Sequence, residues 1–208
     1  MPHRDIPLVA GEYYHLFNRG NNRQDIFFEE ENYLFFLRRL REHLVQPADP
    51  FVTLVAYCLM PNHFHLMLQP RDDDLSHHMQ LFGISYTKAI NKRHDRVGAL
   101  FQGQFRAKRI DRNEYLLYLS RYIHLNPVRA GLVKRPEDWA LSSYREYLGL
   151  RQGKLPKPGI VLAQFAADQT QTSEVLQTSE VYGAYRKFVT AYLATDKERI
   201  AHLMLDDD

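Results

Sequence analysis

The chain has a single cysteine, Cys58. No internal disulfide can form, and a cysteine-based zinc site is excluded. Long apolar runs are missing too: nothing reaches the roughly 18 uncharged apolar residues that a membrane span needs. The first residues, Met1–Val9, carry charge and prolines rather than an apolar stretch, so no secretory leader is expected. A cytoplasmic location is the expectation. Net charge is scarce, at +2, and bulk charge alone therefore says nothing about nucleic acid. Serine, cysteine and phosphate-loop chemistries have no recognisable signature.

What is present suits a globular protein. Hydrophobic residues make up 45% and charged residues 25% of 208, enough for one domain with a sizeable core and an appendage. Glu12–Asn18 reads as a strand closed by a turn at Arg19–Asn22. Glu29–Val45 reads as a helix whose leucines Leu34, Leu37, Leu40 and Leu44 recur at helical spacing. Phe51–Met60 and His63–Gln69 read as strands joined through Pro61–Asn62, an antiparallel hairpin. Asp72, Asp73 and Asp74 are expected to cap a helix over Leu75–Lys92. Gly98–Ile110 reads as a strand or hairpin with Gly103 as a bulge. A helix from Asn113 is expected to run to about Leu125, where Pro127 interferes and leaves Asn126 at its end or at a kink. Glu137–Leu148, with Trp139, reads as a short final helix.

This order is that of an α+β, ferredoxin-like split βαβ fold: a central antiparallel sheet with helices on one or both faces, plus a C-terminal helical extension. The expected division is residues 1–150 for the main domain and 151–208 for a linker (Arg151–Pro158) and extension. Within the extension QTSEV occurs twice, at Gln171–Val175 and Gln177–Val181, too short a period for a repeat architecture. Val181–Leu205 reads as helical, with Tyr185, Phe188, Val189, Tyr192 and Leu193 as a docking stripe. The end is acidic, Asp206–Asp208.

Three groupings carry chemistry. His63 and His65 flank Phe64 on a strand, so alternation turns both imidazoles to one face. They can share a divalent ion, or simply face solvent. His15, on the first strand, could lie near them. Second, Tyr118, Tyr122 and Asn126 are four apart on one helical stripe, with Tyr115 nearby. A tyrosine there is a nucleophile only with help, since phenol ionises near pH 10; packing is the other reading. His124 reads as structural. Third, between Tyr86 and Arg112 lie Lys88, Lys92, Arg93, Arg96, Arg106, Lys108, Arg109 and Arg112, against Asp95 and Asp111. That cluster is a phosphate-binding surface or a solvated face paired with acids from elsewhere.

MPNHFHLML (Met60–Leu68), followed by a helix and then YIHLNPVRAG (Tyr122–Gly131), resembles the HUH-type single-tyrosine transposases, in particular the insertion-sequence and REP-associated members. YHLFNRGNNRQDIFF (Tyr14–Phe28), LFQGQFR (Leu100–Arg106) and DWALSSYREYLG (Asp138–Gly149) are similar to other segments of that family, in the same order. The resemblance spans about residues 12–150. It implies that His63, His65 and Asn126 bind Mg²⁺ or Mn²⁺ and that Tyr122 is the nucleophile. Tyr115 and Tyr118 then fall back to packing. It implies cleavage and rejoining of single-stranded, hairpin-associated DNA through a 5′-phosphotyrosine, by a nucleoid-associated monomer or homodimer, the monomer favoured. Lys88, Lys92, Arg93, Arg106, Lys108 and Arg109 would follow the DNA backbone. Phe101, Phe105 or Trp139 would stack on bases or pack in the core.

Two other functions compete. One is a domesticated hairpin-DNA-binding protein without strand transfer. The other is a metal-dependent hydrolase using water, which lacks an Asp or Glu next to the H-x-H. The extension is a stabilising appendage, or a tail whose acidic end competes with DNA.

Overall fold

The computed structural model describes residues 7–45, 50–166, 178–192, 198 and 200–204. Four strands form one antiparallel sheet: β1 (Tyr13–Arg19), β2 (Val52–Met60), β3 (His63–Pro70) and β4 (Arg106–Ile110), in the order β2-β3-β1-β4. This is the split βαβ order expected from the sequence. Helix α1 (Glu30–Leu40) connects β1 to β2 and α2 (Leu75–Arg93) connects β3 to β4. After β4 come α3 (Asn113–Arg129), α4 (Tyr144–Tyr147), α5 (Gly159–Leu162) and α6 (Ser179–Thr190). The chain groups into two compact units: residues 1–53 with 59–109, and 54–58 with 110–208.

In the first unit, β1 and β3 pair with Phe17 opposite His65 and Arg19 opposite His63. Between them on β3, Phe64 points the other way. Its ring lies 5.1 Å from Phe36 of α1, which meets Phe82 and Tyr86 of α2 at 4.8 and 5.1 Å. The core on that side is thus aromatic. The buried face of α1 is Asn32, Tyr33, Phe36 and Leu40. The leucine stripe expected there is corrected: Leu34 is 54% exposed. Helix α1 also stops at Leu40 and passes into one π-type turn, Arg41–Val45. On α2 the buried residues Leu75, Met79, Phe82, Tyr86 and Ile90 follow three- and four-residue spacing. The aspartates before it do not cap it. Asp74 accepts no hydrogen bond at the helix start; Asp72 Oδ1 instead accepts from Asp74 N at 3.0 Å, and Asp73 Oδ1 from Ala10 N at 2.8 Å. Of Gly98–Ile110 only Arg106–Ile110 is strand, with Phe101 bridging singly to Gly20.

In the second unit, α3 continues through Pro127 to Arg129, longer than expected. Pro127 lacks the N–H that would bond to Ile123 O, and only the last two residues of α3 follow it. The helix closes when Ala130 N donates to Asn126 O and Gly131, at φ +71°, turns the chain away. Glu137–Leu148 is not one helix. A 3₁₀ turn (Pro136–Asp138) and extended Trp139 precede the single turn of α4. Arg151, expected in the linker, is held firmly: its guanidinium makes paired bonds to Glu146 at 2.8 and 2.7 Å and reaches Ser142 O at 2.6 Å. Thr178, from the second QTSEV copy, caps α6 by accepting from Val181 N. The first copy, Leu193 and the acidic end lie outside the described residues.

Candidate functional site

Strand β3 turns His63 and His65 to the same face, with ring centroids 4.9 Å apart and planes nearly perpendicular. The local frame that fixes them begins in the turn after β1. Gly20 N donates to Asn62 O at 2.8 Å, and Ile26 N and Phe27 N both donate to Pro61 O. A side chain at Gly20 is impossible without movement, because a Cβ would sit 1.8 Å from Gln24 O. This turn therefore clamps Pro61–Asn62. Asn62 Nδ2 donates to Arg23 O at 3.1 Å, which orients the amide so that Oδ1 faces His63 Nδ1 at 2.7 Å. An amide oxygen only accepts, so His63 donates through Nδ1.

His65 is fully buried and its Nδ1 lies 2.9 Å from His15 Nε2, with the two rings stacked at 5.1 Å. His15 thus joins the site, as its strand position allowed. Each H-x-H imidazole has its Nδ1 tied to a neighbour, the arrangement by which a supporting residue orients a metal-binding histidine. Phe17 packs against His15 and His65 at 4.9 and 6.4 Å, and Lys108 Nζ sits 5.7 Å from the Phe17 ring. Asn62 is the contributor that sequence reading treated only as a turn. Its signal was adjacency: an amide directly before the first histidine of a tight hairpin.

In the second unit, Tyr122 and Asn126 lie one turn apart on α3, 2% and 6% exposed. The Arg129 guanidinium carbon is 5.4 Å from the Tyr122 ring centroid, within cation–π range. Tyr115 packs on His202 at 5.1 Å and Tyr118 on Phe188 at 6.0 Å. Asn126 Nδ2 is buried without a hydrogen-bond partner among the described residues. Oxygen and nitrogen of a carboxamide are interchangeable by rotation, so this orphan position equally presents Oδ1 to a cation. Among the described residues no cluster of three or more His, Cys, Asp or Glu could hold a metal. Two imidazoles on one face, as in the first unit, are donors that suit a divalent ion.

His124, two residues after Tyr122, is of a different kind. Ser120 Oγ donates to Leu117 O and accepts from Tyr185 Oη. Tyr185 Oη must then accept from His124 Nδ1, 2.7 Å away; His124 Nε2 lies 2.8 Å from Ser143 Oγ, a hydroxyl also within reach of Tyr57 O at 3.2 Å. Burial pushes the imidazole down to about 3, so it stays neutral.

The basic cluster divides. Arg109 pairs with Glu12 at 2.9 Å and Arg93 with Glu29. Arg93 also holds the Glu29 carboxyl below its ordinary range, mainly through their hydrogen bond. Lys88 and Lys92 are exposed at the basic end of α2, without ion-pair partners among the described residues. Arg106 is exposed on β4.

No helix among the described residues is long and apolar enough to cross a membrane. The model of the IS200-like transposase family matches residues 9–126, more than half of the chain. A Haemophilus influenzae protein described as a REP-associated tyrosine transposase is 29% identical over 106 residues, 46% of this chain. The chain spans about 60% of the length of that curated relative. A solved structure of a REP-associated tyrosine transposase bound to a REP hairpin shares the fold. Its TM-score is 0.57 and its identity 20%, over 83% of this chain and 95% of that one. The matched segment contains the paired histidines, the α3 tyrosine and Asn126, and this chain belongs to the IS200-like transposase family.

Proposed function

We propose that the chain is a metal-dependent endonuclease and strand transferase acting on single-stranded, hairpin-associated DNA through a 5′-phosphotyrosine. The observation that carries this reading is the paired imidazoles of β3, each oriented through Nδ1 by a neighbour. His63 and His65 from the first unit and Asn126 from the second would hold Mg²⁺ or Mn²⁺. Such an ion, when bound, acts as a Lewis acid on the scissile phosphate.

Tyr122 supplies the nucleophile. Its phenolic oxygen forms a bond to phosphorus as the bond to the 3′ oxygen breaks, and the phenolic proton ends on the released 3′-hydroxyl. One phosphoester replaces another, so the bond energy is retained and a DNA 3′-hydroxyl can reverse the step to join strands. Arg129, over the Tyr122 ring, provides positive charge beside the group that must lose its proton. Lys88, Lys92, Arg93, Arg106, Lys108 and Arg109 would bind phosphates, Arg93 and Arg109 by exchanging Glu29 and Glu12 for them. The hairpin partner is supported by the relative whose structure is bound to a REP hairpin. The protein would act on the nucleoid as a monomer or homodimer, the monomer favoured.

The test is a labelled single-stranded hairpin incubated with Mg²⁺ or Mn²⁺ and resolved on a denaturing gel. Cleavage is expected for the native chain and lost, by at least a hundredfold, in His63→Ala and His65→Ala or with chelator. Normal cleavage by both variants in matched metal would remove the metal reading. Hairpin binding with no cleavage by the native chain would make it a DNA-binding protein without strand transfer.

A further inference from the structure

The first unit holds a cavity of about 1000 Å³ on the Phe64 side of the sheet, opposite the histidines. Its walls are α2 from Asp74 to Lys88 and the segment from Ala99 to Phe105, with Phe64 at its base. The apolar surface comes from Met79, Phe82, Ile84, Leu100, Phe101 and Phe105. Phe101 is braced edge-on against Phe64 at 6.0 Å and tilted on Tyr86 at 6.2 Å. Polar residues line it too, among them Asn18, His77 and Thr87. Gln80 and Gln104 are exposed, and their amides have no hydrogen-bond partner among the described residues. Lys88 stands at one end without an ion-pair partner among them, and Asp74 lies at the other end of the helical wall.

We infer that this cavity takes the bases of single-stranded DNA adjoining the cleaved position, an inference that rests on the transposase reading above. A base is a flat apolar body with a hydrogen-bonding edge and an anionic backbone. Aromatic walls, open amides and an unneutralised lysine answer those three features in turn. From Ser76 to Lys88 the helical wall is about 18 Å long, room for about five nucleotides at the ~3.4 Å spacing of a stacked strand. The segment also reaches the other face of the sheet. Gln102 Oε1 accepts from Arg19 Nε at 2.9 Å, and Arg19 lies opposite His63. Asn18 Nδ2 anchors the segment further along by donating to Gly103 O at 3.0 Å. A strand seated on Phe101 and Phe105 therefore leaves the cavity beside the histidine face.

The experiment uses the full chain and a hairpin with a single-stranded flank carrying 5-iodouracil at successive positions. After irradiation and trypsin, the adduct is expected in the peptide Val97–Arg106, on Phe101 or Phe105. Ile84→Glu places a charge on a wall residue already 43% exposed. It should weaken flank-bearing DNA about tenfold and leave a flankless hairpin within twofold. Crosslinks only outside the two walls, or equal loss for both DNAs, would overturn the inference. So would a change in sedimentation mass with unchanged DNA affinity, which would make the cavity a contact between copies. The transposase reading fails separately: crosslinks in the cavity without any cleavage would sink that reading and spare this one.

Discussion

His63 and His124 are the same residue in opposite settings, and the contrast separates chemistry from architecture. His63 is half-buried and oriented through one nitrogen, by Asn62. His124 is fully buried, satisfied at both nitrogens, and kept neutral. An imidazole committed at one nitrogen can exchange ligands at the other. An imidazole committed at both is part of the scaffold, here the link that ties α3 to α6 through Tyr185 and to Tyr57 through Ser143. Proximity to the candidate nucleophile does not make His124 a catalyst, and distance in sequence does not keep His15 out of the site.

The contrast breaks most visibly at His124. His124→Ala removes one hydrogen bond from each of two buried hydroxyls and opens a cavity, at a cost of about 2–4 kcal/mol. His63→Ala should cost under about 1 kcal/mol while removing cleavage. Chemical denaturation of both variants measures this, and equal losses would erase the distinction. The same residue predicts a pH dependence. The folded His124 stays neutral down to about 3, whereas the unfolded chain takes up the proton near 6.5. Between those values the unfolded state binds more protons. The contribution is therefore complete above 6.5 and lost as pH falls toward 3, at up to about 1.4 kcal/mol per pH unit. His124→Gln should flatten that slope.

A smaller effect is expected at His15. His15→Phe keeps the packing and removes the support to His65, so metal affinity by calorimetry should fall about 10–100-fold with hairpin affinity unchanged. Unchanged metal affinity would reduce His15 to core packing. The smallest effect concerns Arg129→Ala, which removes a contact worth about 0.5–1 kcal/mol at an exposed site. Single-turnover cleavage should slow about two- to fivefold, with a normal cleavage rate showing that the contact is incidental.

The strand order and the pairing of the histidines were legible because alternation on a strand is a hard geometric rule. His63 and His65 had to share a face once β3 was recognised. Helical details were less legible where a side chain's fate depends on distant partners. Leucine spacing pointed to one face of α1, but Tyr33 and Phe36 had larger surfaces to bury against Phe27 and Phe64 and took the core. Pro127 signalled an end that α3 postpones to Arg129. The aspartates before α2 looked like caps, yet Asp72 accepts from Asp74 N and Asp73 from Ala10 N. Asn62 was invisible as a supporting residue because its role depends on the turn after β1, some forty residues earlier in the chain. The extension's stripe was partly legible: Val181, Tyr185 and Val189 are the buried residues of α6. Tyr185 also enters the His124 network, so a truncation after Gly149 would remove a structural partner.

The central claim is that one tyrosine of three on α3 attacks the DNA. The direct measurement is mass spectrometry of tryptic peptides after reaction of the native chain with single-stranded hairpin DNA and Mn²⁺. A nucleotide phosphate linked to Tyr122, absent in Tyr122→Phe while hairpin binding persists, is the expected result. An adduct on Tyr115 or Tyr118, or cleaved DNA with no protein-linked product, would contradict it.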